Sequence, residues 1–150
     1  MSEKIQQNNK AIASDWSDDE KAAMKERAKE LKAEKANRSK ANDEQSVMDK
    51  IAEMPESEKF IAQRLHQMIK EEFSELYAKT WYGMPAFQLD GKTLVFFQSS
   101  HRFGSRYSTL GFSDTAKLDD GALWSTSFAL VEMNSMVESK VRDLIRKAIG

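Results

Sequence analysis

The stretch WYGMPAFQLDGKTLVFF, residues Trp81–Phe97, decides the fold of this chain. A short apolar run ends at Asp90-Gly91, and a longer, more apolar run begins directly after it. Asp-Gly between two apolar runs is the strongest short-range signal for a β-hairpin, because both central positions of its type I′ turn need a positive φ. The stretch therefore predicts two antiparallel strands joined by a two-residue turn.

The register of this hairpin sets which side chains share a face. A two-residue turn pairs Leu89 with Lys92, and an unbroken ladder then pairs Phe87 with Leu94. The first face would carry Phe87, Leu89, Leu94 and Phe96, and the second Met84, Ala86, Val95 and Phe97. Because soluble monomers seldom leave large apolar patches bare, we expect helices to cover one face, and more of the chain, a partner or a ligand to cover the other.

Apolar periodicity elsewhere in the chain predicts the remaining elements. Helical spacing indicates helices over Val47–Met54, residues 56–76 and Ser135–Ile149, the last with Asn134 as its N-cap. Alternating patterns predict strands at Lys79–Tyr82, Ala86–Leu89, Thr93–Ser99, Arg106–Phe112 and Thr126–Val131. This order predicts an α+β fold, in which an antiparallel sheet of about four to five strands has helices packed on one face in a two-layer arrangement.

The N-terminal third of the chain differs in composition from the rest. Thirteen of the fourteen aromatic residues lie between Phe60 and Phe128, and residues 1–46 carry ten basic and ten acidic side chains. We therefore predict an N-terminal arm over residues 1–46, followed by one α+β domain over residues 47–150. Within the arm we expect a disordered tail to residue 14, a charged helix that begins at Ser17 and docks weakly, and a linker from Asn37 to Ser46.

Composition narrows the functional class. The chain has no cysteine, which excludes disulfides and thiolate chemistry, and its net charge of −1 gives no general attraction for nucleic acid or an anionic membrane. No apolar run approaches the roughly 20 residues of a membrane span, and the N-terminus has no secretory apolar segment. We therefore expect a cytoplasmic protein. No nucleophile–base motif is present, which argues against a hydrolase and favours a non-enzymatic function.

A set of short motifs in fixed order resembles one known family. They are YGMPAF at Tyr82–Phe87, Gly91-Lys92 with the apolar strand Leu94–Phe97, LGF at Leu110–Phe112, LDDG at Leu118–Gly121 with Trp124, and SFAL at Ser127–Leu130. Over roughly residues 47–148 the chain resembles the YdhG-like family, the domain of unknown function numbered 1801. Ser125 departs from its pattern, which has proline after the tryptophan.

The resemblance implies a compact α+β domain and little about activity, since the family is largely uncharacterised. Some relatives are described as frataxin-like iron chaperones, so the resemblance also implies intracellular iron handling as an alternative function. That alternative requires a set of iron ligands in this chain. The best candidates are Glu71, Glu72 and Glu75, which form an acidic ridge on the long helix, since carboxylates suit iron. A solvated helix face explains the same residues, and the two histidines, His66 and His101, are both expected at the surface.

Aromatic and methionine side chains near the hairpin form the main candidate site. Such walls with few polar groups are typical of small-molecule pockets, although an ordinary core would have the same composition. The candidate pocket residues are Trp81, Tyr82, Met84, Phe97, Tyr107 and Trp124. The sequence thus predicts a binding module for a small ligand or a protein partner, which includes a second copy of the chain through the apolar sheet face. No cofactor other than iron is expected.

A second, weaker candidate lies in the segment SSHRFGSRY, residues 99–107. Arg102 and Arg106 would together hold a small anion, because guanidinium groups bind oxyanions with two parallel hydrogen bonds. A polar hairpin tip is the alternative interpretation of the same segment.

Overall fold

The computed structural model of the chain describes residues 16–35 and 39–150. The predicted disordered tail, residues 1–14, lies outside these ranges. The elements in chain order are α1 (Asp18–Lys35), α2 (Lys40–Ala52), α3 (Glu56–Glu72), β1 (Tyr77–Trp81), β2 (Met84–Leu89), β3 (Lys92–Gln98), α4 (Ser100–Phe103), β4 (Thr109–Phe112), β5 (Ser127–Ala129) and α5 (Ser135–Ile149).

The five strands form one antiparallel sheet in the order β1-β2-β3-β4-β5, so every strand pairs with its neighbour in sequence. Apolar side chains of α2, α3 and α5 form one core cluster with one face of this sheet. The prediction of an α+β fold with an antiparallel sheet and an N-terminal helix is confirmed. Among the described residues, no helix is both long and apolar enough to cross a membrane.

The β2–β3 hairpin has the predicted turn but a different register beyond it. Asp90 and Gly91 have φ values of 52° and 81°, as a type I′ turn requires. Close to the turn, Leu89 pairs with Lys92 as predicted. Farther along, Phe87 pairs with Val95 and the ladder skips Leu94, so the predicted pairing of Phe87 with Leu94 is wrong.

A β-bulge at Leu94 explains the difference. An extra residue in one strand disrupts the alternation locally, and so two consecutive side chains can point toward the same side. Leu94 and Val95 are both fully buried in the core cluster, together with Phe97. Phe96 is consequently turned to the second face, opposite to the prediction, and pairs there with Ala86.

Helix α2 begins earlier than the sequence pattern indicated. Ser39 is its N-cap, and the Ser39 side chain accepts a hydrogen bond from the Asn42 N–H. The predicted linker up to Ser46 is therefore helical from Lys40 onward. Asp43 is buried in this turn and accepts a 2.6 Å hydrogen bond from the Tyr77 hydroxyl. Burial and the bond to Asp43 raise the pKa of Tyr77 to about 12.

Candidate small-molecule binding site

The β1–β2 turn is the centre of the candidate site. Tyr82 and Gly83 occupy it with φ values of 53° and 74°. Their two backbone N–H groups donate to one carboxylate of α1, at 2.9 Å from Tyr82 to Glu30 Oε2 and at 2.8 Å from Gly83 to Glu30 Oε1. Glu30 is only 6% exposed. A single carboxylate therefore joins α1 to the hairpin.

Further polar contacts of α1 support this attachment. Arg27 Nη1 lies 3.4 Å from Glu30 Oε2, and its guanidinium lies 5.6 Å from the centre of the Tyr82 ring. The predicted apolar stripe contributes less, because Met24 and Leu31 are each 44% exposed. The thin apolar surface of this helix agrees with the sequence pattern. The buried carboxylate of Glu30 is an additional contact that the sequence did not indicate.

Replacing Glu30 with alanine should loosen α1 while the domain stays folded. The change leaves two N–H groups of the turn without an acceptor, which costs about 1–3 kcal/mol per buried group. We expect amide hydrogen exchange at Tyr82 and Gly83 to accelerate about tenfold or more. The control is Lys29→Ala, which removes an exposed ion pair to Glu26 within α1 and should leave these amides unchanged. Equal exchange in the parent and Glu30→Ala would contradict the anchoring role of Glu30.

An aromatic groove of 420 Å³ lies between α1 and the second face of the sheet. Aromatic rings and methionines make up most of its walls. They are Trp16, Met24, Trp81, Tyr82, Met84, Phe96 and Phe103. Trp81 is in the middle, with ring centroids 4.9 Å from Tyr82 in an edge-to-face arrangement and 5.2 Å from Phe96. Aromatic pairs favour such tilted and edge-to-face arrangements, and here the rings line an apolar recess.

A second cavity, the Arg102 cleft, adjoins the groove and has a volume of 350 Å³. Both volumes fall in the range of small-molecule sites, roughly 300–1,000 Å³. The cleft and the groove share Met84 and Phe103 as walls. The floor of the cleft is apolar, and its rim is charged. The floor residues are Met54, Met84, Pro85 and Phe97, and the ionisable residues of the cleft are Asp19, Lys50, Glu53, His101 and Arg102.

The Arg102 side chain packs directly against the turn. Its guanidinium lies 5.1 Å from the centre of the Phe103 ring and so close to Gly83 that a Cβ at that position would overlap it. Glycine at position 83 therefore serves both the positive φ and this close approach. The Nη1 atom of Arg102 is buried and has no hydrogen-bond partner in the part of the chain that the structure describes.

A buried carboxylate fixes the short helix α4 that carries Arg102. Glu58, which is 7% exposed, accepts hydrogen bonds from three serine hydroxyls and one backbone N–H. The donors are Ser99 at 2.6 Å, Ser108 at 3.1 Å, the His101 N–H at 3.1 Å, and the Ser100 hydroxyl. Burial alone would raise the pKa of Glu58, but these donors together lower it below its usual value.

The structure brings together half of the predicted pocket. Trp81, Tyr82 and Met84 line the aromatic groove, whereas Phe97 faces the core side and reaches only the Arg102 cleft. Tyr107 and Trp124 line neither cavity. β4 begins only at Thr109, because residues 100–103 form α4, and so Tyr107 lies outside the sheet and is 41% exposed. Trp124 is 39% exposed in the loop before β5.

The two arginines predicted to bind an anion together lie in different surroundings. Arg102 lines the cleft, but Arg106 does not. The Arg106 guanidinium lies instead 5.1 Å from the centre of the exposed Tyr107 ring. Arg106 therefore offers a matched control for experiments on Arg102, since both are in the same segment.

The predicted acidic ridge is not a metal centre in the described part of the chain. Glu72 bonds to Arg142 at 2.6 Å, Glu71 accepts a 3.1 Å bond from Gln67, and Glu75 lies beyond the end of α3. Among the described residues, no group of three or more His, Asp or Glu side chains is placed to hold a metal ion. The ridge therefore fits iron poorly and gives the iron-chaperone alternative no support.

The predicted surface position of His66 is wrong, because this residue of α3 is only 8% exposed. Its Nε2 lies 3.2 Å from Glu44 Oε1. Burial lowers the pKa of His66 below its ordinary value, although the carboxylate of Glu44 opposes this shift. The His66 ring lies beside Phe87, with ring centroids 6.3 Å apart.

No family model, curated protein or solved structure matches this chain significantly.

Proposed function

We propose that this chain is a binding module of the YdhG-like type whose ligand is a small, flat, largely apolar molecule held in the aromatic groove. The observation that carries the proposal is the set of aromatic walls around Trp81, which lies outside the core cluster. Packing of the core does not require these rings. A ligand bound in the recess of 420 Å³ would cover the exposed surfaces of these rings.

The composition of the groove supports a planar ligand over a polar one. Five of its walls are aromatic, and the polar side chains at its edge are Glu20 and Gln98. Stacked and edge-to-face contacts with aromatic rings contribute about 0.5–1.5 kcal/mol each beyond the area they bury. A bicyclic ring inserted beside Trp81 would make several such contacts at once.

The test is the binding of 2-naphthalenemethanol, a neutral planar probe, followed by isothermal titration calorimetry. We expect Trp81→Ala to weaken binding at least about tenfold, because the central ring of the groove is lost. A second variant, Met24→Gln, changes an exposed wall on α1 and should weaken binding without risk to the fold. The matched control is Trp124→Ala, which removes a tryptophan outside the groove and should leave affinity unchanged. Absence of binding to the parent protein, or equal loss in the Trp81 and Trp124 variants, would refute the proposal.

A further inference from the structure

We propose that the ligand also carries a singly charged oxyanion, such as a carboxylate or a phosphodiester, which binds to Arg102 in the cleft beside the groove. This inference rests on the proposed function, because the same ligand would place its ring in the aromatic groove. The cleft and the groove meet at Met84 and Phe103, and so one molecule can contact both.

The hydrogen bonding of Arg102 points to a missing acceptor. Its guanidinium nitrogen Nη1 is buried, and no acceptor among residues 16–35 and 39–150 meets it. A guanidinium stays charged at all ordinary pH values, and so it cannot relieve this loss by releasing a proton. An unpaired buried donor of a charged group costs free energy that an oxyanion would recover, since the guanidinium fork matches two oxygens at once.

The other charges of the cleft make Arg102 the place where an anion would bind. Lys50 also lines the cleft, but it is already compensated by two carboxylates, with Nζ at 3.4 Å from Glu26 and at 3.8 Å from Glu53. Asp19 and Glu53 lie in the same cleft. Their negative charge disfavours a dianion, and so the ligand is expected to carry a single negative charge.

The position of the guanidinium is held from two sides. Gly83 has no Cβ, and so the guanidinium packs directly against the turn that Glu30 anchors. The helix that carries Arg102 is fixed from the other side by the hydrogen bonds to Glu58. A cation fixed in this way has less side-chain entropy to lose on binding than an exposed arginine.

The experiment compares probes of the same size that differ in charge. The neutral probe is 2-naphthalenemethanol, the singly charged probe is 2-naphthoate, and the dianionic probe is 2-naphthyl phosphate at pH 8. We expect 2-naphthoate to bind the parent protein about tenfold more tightly than the alcohol, from one charge-assisted pair of hydrogen bonds. The affinity of 2-naphthyl phosphate should exceed that of the alcohol by a smaller factor than the affinity of 2-naphthoate does, because Asp19 and Glu53 repel the second charge of the phosphate.

The variants then assign the preference to a residue. Arg102→Gln should abolish the preference for 2-naphthoate over the alcohol, measured as the ratio of the two affinities in the same variant, whereas the control Arg106→Gln should keep this ratio. Arg102→Lys retains the positive charge but loses the planar guanidinium, and so it should keep part of the preference for 2-naphthoate. Equal binding of alcohol and carboxylate to the parent would overturn the anion site and leave the aromatic groove intact. If neither probe binds, the proposed function and the anion site both fail.

Discussion

Replacing Phe87 with alanine is expected to lower the free energy of unfolding by about 3–5 kcal/mol, the usual cost of truncating a buried phenylalanine. Phe87 is 1% exposed and lies between β1 and β3, where it pairs with Ala78 and Val95. Its removal leaves a cavity that the rigid neighbouring strands can fill only in part. Urea denaturation monitored by circular dichroism measures the effect.

The matched control for this prediction is Phe60→Ala. Phe60 is in α3, on the other side of the core, and is 54% exposed. Truncation there should change stability by no more than about 0.5 kcal/mol. A urea midpoint for Phe87→Ala that matches the parent would mean that Phe87 does not face the helices.

Replacing Glu58 with alanine is expected to have the second largest effect, a loss of about 3 kcal/mol, because hydrogen bonds to a charged group contribute about 1.5–3 kcal/mol and several are lost together. Ser99, Ser108 and the His101 N–H would lose their acceptor inside the protein. Glu56→Ala is the control, since its carboxylate is exposed and pairs with Lys59 at the surface. If the two variants have equal stability, the buried cluster does not hold α4.

The same residue predicts a pH dependence. The pKa of Glu58 is lower in the folded chain than in the unfolded chain, and so the unfolded chain takes up its proton first as the pH falls. The stabilisation is therefore complete above pH 4.5, the ordinary value, and is lost as the pH falls through the lowered pKa. Stability of Glu58→Gln, measured from pH 6 to pH 3, should fall less steeply than that of the parent.

Local signals in the sequence were sufficient for the turns and caps. Asp90-Gly91 forms the predicted turn, Ser17 accepts the predicted capping bond from the Glu20 N–H at 3.1 Å, and Asn134 caps α5. Each of these features depends on residues only a few positions apart. The bulge at Leu94 could not be predicted from neighbouring residues. The run from Leu94 to Phe97 is apolar at every position and fits either register equally well. Packing against the helices decides between the two registers.

The candidate site, like the fold, could be predicted from the sequence only where residues close together in the chain form it. Trp81 and Met84 flank one short turn, and so their proximity follows from the hairpin itself. Glu30 and Glu58 gave no signal, since each stands in a charged helical stretch that resembles a solvated surface. Their burial depends on donors supplied by residues more than forty or fifty positions away, such as Ser99 and Gly83. Trp124 is the opposite case, since it was predicted in the pocket and lies outside it. An aromatic residue in a long loop has no neighbouring strand to direct its position.

The most direct test of the central claim is to locate a bound probe by nuclear Overhauser effects between 2-naphthalenemethanol and the protein. The account predicts cross-peaks from the naphthalene protons to the rings of Trp81 and Tyr82 and to the methyl group of Met84, which are the walls of the aromatic groove. Cross-peaks confined to Leu123 and Trp124, the exposed apolar residues of the loop before β5, would contradict it.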